Sequence, residues 1–266
     1  MPPLPPTMAP DDSLTQQLRQ RLHAMGQFFG NTLLAQSCIL CSLPSGETPL
    51  CQDCAAALPA LKRPACPRCA LPFNLSAHGT QSLCPDCMHH TPTFDSATAV
   101  WSYGFPIDTL IRDFKYGHHL YLSGFFGAHL AQALADAWEN NPNLPLPDLV
   151  LPMPLHPNRL KARGFNQAAE IGRQVAKILH LRWSVDHLLR QNDTPPQAGL
   201  HRTERWSNLR GAFFCPQPLQ GQRILLIDDV LTTGASLSAC ADILRFAGAS
   251  RVDVAVLART PEPGQR

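Results

Sequence analysis

The stretch that decides the fold is Ile224-Leu-Leu-Ile-Asp-Asp-Val-Leu-Thr-Thr-Gly-Ala-Ser236. It begins with four consecutive apolar residues, the pattern of a parallel strand that is buried on both faces. Two carboxylates, Asp228 and Asp229, follow the apolar run, and a turn of small and hydroxyl residues comes after them. Apolar residues at helical spacing are next, and Gly248 is a suitable C-terminal stop for that helix. The order is therefore strand, acidic pair, small-residue turn and helix N-terminus.

Each part of this stretch has a physical use in binding. A helix N-terminus that follows small residues offers backbone N–H groups and the positive end of the helix dipole to an anion. The groups that would hold a phosphate belong to Thr232, Thr233, Gly234, Ala235 and Ser236. The two preceding carboxylates can accept hydrogen bonds from sugar hydroxyls or coordinate Mg²⁺. The combination indicates a sugar phosphate, and the absence of Gly-Lys-Ser/Thr argues against a Walker loop.

Eight of the ten cysteines form four Cys-x-x-Cys pairs. Two such pairs complete a tetrahedral zinc site with four thiolate ligands, at Zn–S distances of about 2.3 Å. We expect the first two pairs to share one ion and the last two another, although interleaved pairing is also compatible with the spacing. Closed four-cysteine sites mostly stabilise segments too small for a core, so two structural zinc ions are predicted. The predicted ligands are Cys38, Cys41, Cys51, Cys54, Cys66, Cys69, Cys84 and Cys87.

The composition favours one substantial core and a smaller module, since 44% of the 266 residues are hydrophobic and 16% are charged. The formal net charge of +2 is weak evidence for a polyanionic partner. No run approaches the ~18 apolar residues of a membrane span. The N-terminus also lacks a basic region followed by an apolar core, so no signal peptide is predicted. The expected location is therefore cytoplasmic.

Five segments are predicted along the chain. Residues 1–10, which are rich in proline, and residues 261–266 are expected to be disordered tails. Residues 11–36 are expected to form an amphipathic helix that packs on the body of the protein, a partner-binding or membrane-surface helix being the alternative. Residues 37–93, which contain the eight paired cysteines, are expected to form a double zinc ribbon. Residues 94–260 alternate strand and helix patterns, which predicts an α/β domain with a parallel sheet.

Two polar segments lie near the predicted ligand crevice. Arg159, Lys161 and Arg163 occupy a loop directly after the second predicted strand. Ligands of open α/β sheets bind outside the carboxyl ends of strands, so this loop is suited to clamp pyrophosphate or DNA. A solvated basic loop without a ligand is the alternative. Residues 193–214 form a long polar segment, which is typical of a functional loop or of disorder.

Residues 224–236 resemble the 13-residue signature of type I phosphoribosyltransferases, which bind 5-phosphoribosyl-1-pyrophosphate (PRPP). Further blocks make the chain similar to one subgroup, the ComF competence family with its GntX-like relatives. Individually these blocks are weak, but in this order they are specific. They are the four Cys-x-x-Cys pairs, Phe114-Lys-Tyr-Gly117, Pro152-Met-Pro-Leu-His-Pro157, Arg163-Gly-Phe-Asn-Gln167, Thr194-Pro-Pro-Gln-Ala-Gly-Leu200 and Asn208-Leu-Arg-Gly-Ala-Phe213.

The resemblance implies a type I phosphoribosyltransferase-like parallel sheet flanked by helices and preceded by a double zinc ribbon. It implies that Asp228 and Asp229 meet the ribose hydroxyls and help to position magnesium, while residues 232–236 hold the 5′-phosphate. Lys115 and Arg163 are the candidate contacts of the pyrophosphate. The polar segment that follows residue 193 would close over the site.

The function implied is transfer of the phosphoribosyl group from PRPP to an unidentified acceptor, with release of pyrophosphate, in a protein linked to DNA uptake and natural competence. The alternative is a non-catalytic module that senses PRPP or binds single-stranded DNA, with Arg159, Lys161 and Arg163 as the DNA contacts. PRPP is thus the expected ligand, and single-stranded DNA and the DNA-uptake machinery are the candidate partners.

Overall fold

The computed structural model describes residues 36–73, 83–117, 119–191 and 211–261. It divides into two compact units, residues 1–56 and residues 57–266, and the division falls between the two groups of cysteines. The N-terminal tail and amphipathic helix predicted from the sequence lie outside the described residues, apart from the last residue of that helix. So do residues 192–210 of the polar segment and all but the first residue of the C-terminal tail.

The described part of the first unit, residues 36–56, is a small cysteine-bearing hairpin. Strand β1 (Gln36–Ser37) pairs antiparallel with β2 (Pro44–Gly46), and helix α1 (Gln52–Ala56) follows. The turn between the strands is closed by Cys38 N, which donates to Leu43 O at 2.7 Å. Few apolar side chains of these residues are buried, so the cysteines are expected to stabilise this unit through a metal.

The second unit contains a four-stranded parallel sheet with helices around it. Its elements are α2 (Pro85–His89), β3 (Ser96–Ser102), α3 (Ile107–Tyr116), α4 (Leu122–Asn140), β4 (Leu149–Pro152), α5 (Pro157–Arg163), α6 (Gln167–Ile178), β5 (Leu189–Arg190), β6 (Phe213–Phe214), β7 (Arg223–Leu231), α7 (Ala235–Phe246) and β8 (Arg251–Arg259). The sheet order is β3-β8-β7-β4, with every neighbour parallel, while β5 and β6 form a separate antiparallel pair. This confirms the predicted α/β class. None of the described helices combines the length and the hydropathy needed to cross a lipid bilayer.

Strand β7 occupies an interior position in the sheet because its side chains are apolar in succession. The four residues of Ile224–Ile227 are all buried, and the strand pairs with both β8 and β4. It continues to Leu231, beyond the apolar run that predicts it, because the ladder with β8 extends through Asp228. The acidic pair therefore lies within the last residues of a strand, at the carboxyl ends of the parallel strands, where ligands of α/β folds bind.

Both edges of this sheet are covered by irregular chain. Two backbone hydrogen bonds, of 2.8 and 3.2 Å, join residues 59–61 to residues 100–102 of β3. On the opposite edge two further backbone hydrogen bonds, of 2.8 and 3.2 Å, join residues 182–184 to Val150 of β4. Residues 59–61, which lead into the second group of cysteines, thus form backbone hydrogen bonds with strand β3 of the sheet.

The basic segment after β4 is a short helix, α5, and not the loop that the sequence analysis predicts. Pro157 starts the helix, where its missing N–H costs nothing, and His156 Nδ1 accepts a hydrogen bond from Asn158 N at 3.2 Å. Gly164 ends it with a φ of 85°, in the left-handed region that glycine adopts without strain. This geometry places Arg163 in the last turn of α5, directly before the start of α6.

Candidate functional site

Asp228 and Asp229 are adjacent at the end of β7 but differ in their surroundings. The side chain of Asp229 is 7% exposed, and its Oδ2 lies 2.7 Å from Lys115 Nζ. Apart from this ion pair, no described residue donates a hydrogen bond to that buried oxygen. Asp228 is half-buried, and its Oδ1 accepts a hydrogen bond from Asp229 N at 2.8 Å. Burial and repulsion by Asp229 raise the pKa of Asp228 to about 7, so this carboxyl changes charge near neutral pH.

Lys115 reaches the acidic pair from the last turn of α3, and its side chain is 22% exposed. Burial disfavours its charged form, but attraction to Asp229 and the hydrogen bond with it outweigh burial, so the pKa of Lys115 is raised. Its ammonium therefore stays cationic at neutral pH. With three N–H donors, it can bond to Asp229 and still donate to a ligand.

Arg163 joins the same corner through Tyr116. Its guanidinium carbon lies 5.0 Å from the centroid of the Tyr116 ring, and its Nη2 donates to the Tyr116 hydroxyl at 3.2 Å. Its Nη1 donates to Gln167 Oε1 at 2.5 Å. The positive charge of Arg163 lowers the pKa of Lys115. It also lowers the pKa of Asp228, but burial of that carboxyl raises its pKa by more. The structure thus places Lys115 in contact with the acidic pair and Arg163 on the neighbouring Tyr116.

The motif blocks that contain these cations pack against each other. The rings of Phe114 and Phe165 lie 5.4 Å apart between centroids. Asn166 caps the N-terminus of α6, where its Oδ1 accepts from Ala168 N, and its Nδ2 donates to Met153 O at 3.0 Å. Blocks that are separate in the sequence thus form one contact network beneath the site.

Tyr116 and Gln167 belong to the candidate site through their contacts with Arg163, and sequence reasoning did not single them out. Both lie inside the blocks that support the family resemblance, and that was the one signal available. Neither has an ionisable or metal-ligating role that spacing could reveal, because each acts by holding Arg163. Their contribution is visible once α3 and α5 are placed side by side.

The turn after β7 forms the N-terminus of α7, a helix of 12 residues. Gly234 adopts a φ of 76°, where a side chain would be strained. Thr232 and Thr233 are exposed, Gly234 and Ala235 are buried, and Ser236 lies in the first helical turn. The first turn of a helix presents backbone N–H groups that have no intrahelical acceptor. The five predicted phosphate-binding residues therefore form one continuous turn, next to the acidic pair.

The eight predicted ligand cysteines form two clusters of four, and in each cluster the Sγ atoms lie within 4.8 Å of one another. Within them, 3.6 Å separates Cys41 Sγ from Cys51 Sγ and Cys69 Sγ from Cys84 Sγ. Four sulfurs placed tetrahedrally about 2.3 Å from zinc would be about 3.8 Å apart, so both clusters fit this ion. The pairing is consecutive, as expected, and not interleaved. The first cluster is Cys38, Cys41, Cys51 and Cys54, and the second cluster is Cys66, Cys69, Cys84 and Cys87.

Replacing Asp228 by Asn is expected to raise the melting temperature at about pH 8 and to change it less at about pH 5. The folded-state pKa of about 7 lies above the ordinary value of 3.8, so stability is lost as pH rises from the lower value through the higher. Asn stays neutral throughout. Because Asp228 is half-buried and not enclosed, solvent screening reduces the expected gain to about 1 kcal/mol. Thermal unfolding at both pH values measures it.

The matched control for this prediction is Asp242→Asn, which removes an exposed carboxylate from α7. It should give no gain that depends on pH in the same window. A melting temperature for Asp228→Asn that is equal to, or below, that of the wild type at the higher pH would contradict the prediction.

Known proteins resemble this chain in both parts. The double zinc ribbon domain model matches residues 29–88, and the phosphoribosyl transferase domain model matches residues 216–266. The DNA utilization protein YhgH of Escherichia coli O6:H1 is 31% identical over 225 residues, which cover 84% of this chain and 96% of YhgH. Competence protein F of Haemophilus influenzae is 29% identical over 227 residues, with the same two shares. A purine phosphoribosyltransferase crystal structure from Pyrococcus horikoshii Ot3 has a TM-score of 0.31 at 17% identity, covering 51% of this chain and 73% of that one.

Proposed function

Because the chain belongs to the ComF family, we propose that it binds PRPP at the carboxyl ends of its sheet strands. The DNA utilization protein YhgH and competence protein F are its relatives. In this proposal the protein transfers the phosphoribosyl group to an acceptor and releases pyrophosphate. The names of these relatives favour a role in the uptake or use of DNA. The observation that supports the site is the convergence of an acidic pair, a helix-start turn and two cations at one corner of the second unit.

In this proposal the turn at residues 232–236 holds the 5′-phosphate. Backbone N–H groups of the first turn of α7 donate to its oxygens, and the hydroxyls of Thr232, Thr233 and Ser236 are further donors. Asp228 and Asp229 accept hydrogen bonds from the two ribose hydroxyls. Only Val230 and Leu231 separate the acidic pair from the turn in the sequence. One ribose phosphate can therefore contact the carboxylates and the turn at the same time.

Lys115 and Arg163 would hold the pyrophosphate group. Lys115 already bonds to Asp229, so a bound ligand would receive the remaining N–H donors of an ammonium whose position is fixed. Arg163 is held by Tyr116 and Gln167, which limits the entropy lost when it meets a phosphate oxygen. Magnesium, bound with the pyrophosphate, would add positive charge where the leaving group becomes more negative, and oxygen ligands of the acidic pair suit it.

The chemistry asks little covalent help of the protein. The bond from ribose C1 to the pyrophosphate oxygen breaks, and that oxygen keeps the electron pair. A lone pair of the acceptor forms the new bond to C1, and a proton carried by the attacking atom passes to solvent. Lys115 and Arg163 then stabilise the negative charge that develops on the leaving pyrophosphate. The carboxylates beside the ribose favour the positive charge that develops at C1.

A second candidate function is binding without transfer, either as a PRPP sensor or as a single-stranded DNA module. The observation that favours it is Tyr116, which is 65% exposed beside Arg163 and offers an aromatic face to a base. Lys161, exposed on α5, adds a cation to the same segment. Salt-dependent binding of single-stranded DNA that is lost on replacing Arg159, Lys161 and Arg163 would support this candidate.

The test of the proposed function is a calorimetric titration of the full chain with PRPP and magnesium, followed by a pyrophosphate-release assay. The acceptors offered would be nucleobases, amines and nucleic acids. Pyrophosphate release that depends on one acceptor supports transfer and identifies the acceptor. Saturable PRPP binding without release for any acceptor supports the sensor. Absence of PRPP binding contradicts both assignments of the pocket.

The purified protein is expected to contain about two zinc ions per chain, because each cluster fits one tetrahedral ion. Elemental analysis after purification in non-chelating buffer measures this content. Cys84→Ser should reduce it to about one ion, since three thiolates bind zinc more weakly than four. Cys215→Ser is the matched control, because Cys215 belongs to neither cluster, and it should leave the content unchanged. A protein free of zinc would contradict the assignment.

A further inference from the structure

Arg259 is a buried arginine at the end of β8, only 8% exposed, whose described partners are all backbone carbonyls. Its Nε donates to Cys69 O at 2.9 Å. Its Nη1 donates to Leu231 O at 3.1 Å and to Thr232 O at 2.7 Å. Cys69 belongs to the second cluster, and Thr232 opens the turn proposed to hold the 5′-phosphate. One guanidinium therefore joins the two.

A second connection leaves the cluster on the side of Cys87. Thr91 Oγ1 donates to Cys87 O at 2.9 Å, and Thr93 Oγ1 donates to Ser238 O, in the first turns of α7, at 2.7 Å. Phe94 is fully buried, and its ring lies 3.5 Å from where a Cβ on Gly234 would be. The far end of the turn is thus also supported from the cluster.

A third connection starts inside the turn between Cys66 and Cys69. Arg68 Nη1 donates to Phe94 O at 2.5 Å and lies 3.8 Å from Asp95 Oδ1. Asp95 also pairs with Arg245 of α7, and its Oδ2 accepts from Val252 N at 2.9 Å. Three routes of hydrogen bonds and packing, which share few residues, therefore lead from the second cluster to the turn and its helix.

We propose that the second cluster and the phosphate turn are one coupled unit in which Arg259 is the positioning residue. A cluster closed by its metal fixes the Cys69 carbonyl, and Arg259 in turn fixes the carbonyls of Leu231 and Thr232, which precede the left-handed Gly234. This inference rests on the proposed function in one respect, that the turn holds the 5′-phosphate of PRPP. Coupling is reciprocal, so binding at the turn also raises the zinc affinity of the second cluster.

The energetic reason is the number of backbone carbonyls that one side chain satisfies, of which those of Cys69 and Leu231 are bonded in buried surroundings. Without the guanidinium, the carbonyls of Cys69 and Thr232 each lose a charge-assisted donor, whereas Leu231 O keeps a bond from Thr260 N at 3.1 Å. The turn can then rotate to find other partners, and the geometry that a phosphate needs is held for a smaller part of the time.

Hydrogen exchange on the full, zinc-loaded chain tests this directly. In Arg259→Met the amides of Ser238 and Thr260, which donate to Gly234 O at 2.8 Å and to Leu231 O at 3.1 Å, should exchange about 10-fold faster, while those of Ile224–Ile227 should not change. Arg259→Lys, which keeps a cation and some donors, should lie between wild type and Met. The matched control is Arg251→Met, at the other end of β8, where Arg251 pairs with Asp253 at 2.7 Å. Unchanged exchange at the turn in Arg259→Met, or an equal change in Arg251→Met, overturns the proposal.

The reciprocal arm measures metal. In the double variant Cys51→Ser with Cys54→Ser, the second cluster is the complete one, and equilibrium competition with a chromogenic chelator should show about 10-fold higher zinc affinity with PRPP bound. PRPP affinity in Arg259→Met should fall by a similar factor. Equal zinc affinities with and without bound PRPP overturn the coupling. If wild type does not bind PRPP, the proposed function fails, and the exchange comparison still decides the role of Arg259.

Discussion

Replacing Asp229 by Asn is expected to weaken PRPP binding by about 10- to 100-fold, the range for losing a hydrogen bond to a charged group. The carboxylate pairs with Lys115 at 2.7 Å and, in our proposal, accepts a ribose hydroxyl. Asn keeps the shape but offers one acceptor and no charge, so Lys115 loses the group that fixes its ammonium. The affinity for PRPP with magnesium, measured by calorimetric titration, gives the effect. Circular dichroism should show an unchanged fold.

The matched control for this change is Asp148→Asn. Asp148 accepts hydrogen bonds from Arg223 Nε at 2.9 Å and Nη2 at 2.7 Å, and these bonds hold the pKa of Asp148 at about 2. Arg223 begins β7, so this pair lies at the opposite end of the strand from the candidate site. The control should lower stability and leave PRPP affinity intact. Unchanged PRPP affinity in Asp229→Asn would contradict the assignment of the ribose contact.

Replacing Lys115 by Met should weaken PRPP binding by about 10-fold more than it weakens binding of ribose 5-phosphate. PRPP carries the pyrophosphate that Lys115 is proposed to contact, whereas ribose 5-phosphate lacks it. In Lys115→Met, Asp229 loses its ion pair with Lys115 whichever ligand is bound. The resulting loss of affinity is common to both ligands and cancels in their ratio. Titration of each ligand into each protein yields the ratio.

Lys177→Met is the control for a general loss of positive charge, because Lys177 is exposed in the last turn of α6. It should change neither affinity beyond the small effect of one remote surface charge. Equal losses for both ligands in Lys115→Met would place this residue at the ribose and would contradict the pyrophosphate contact.

The parts of the fold that local pattern determines are predictable. The apolar run at Ile224 predicts a buried strand, and helical spacing after Ser236 predicts the helix that follows it, and both are found. The sequence predicts the eight ligand cysteines but is compatible with two ways of pairing them, and the structure shows the consecutive one. α5 is the exception, although Pro157 at its start and Gly164 at its end are boundary signals that sequence reasoning could have used.

The contacts that align the site depend on tertiary structure, and for that reason the sequence could not reveal them. Arg259 is the last residue of an apolar strand, where periodicity suggests nothing more than an end. Its partners, Cys69 and Thr232, come from distant parts of the chain and are recognised through backbone atoms, which have no sequence signature. The ion pair of Lys115 with Asp229 also depends on tertiary structure, because it forms only when the last turn of α3 lies close to the end of β7.

The covered edges of the sheet have a consequence for how the protein can be divided. An exposed edge strand invites pairing with a second chain, and natural proteins block it. Residues 59–61 block β3, and residues 182–184 block β4. A fragment that starts at residue 94 would uncover β3 and should self-associate, even though it keeps every residue proposed to bind PRPP. The segment that leads into the second group of cysteines is therefore expected to keep β3 from pairing with a second chain.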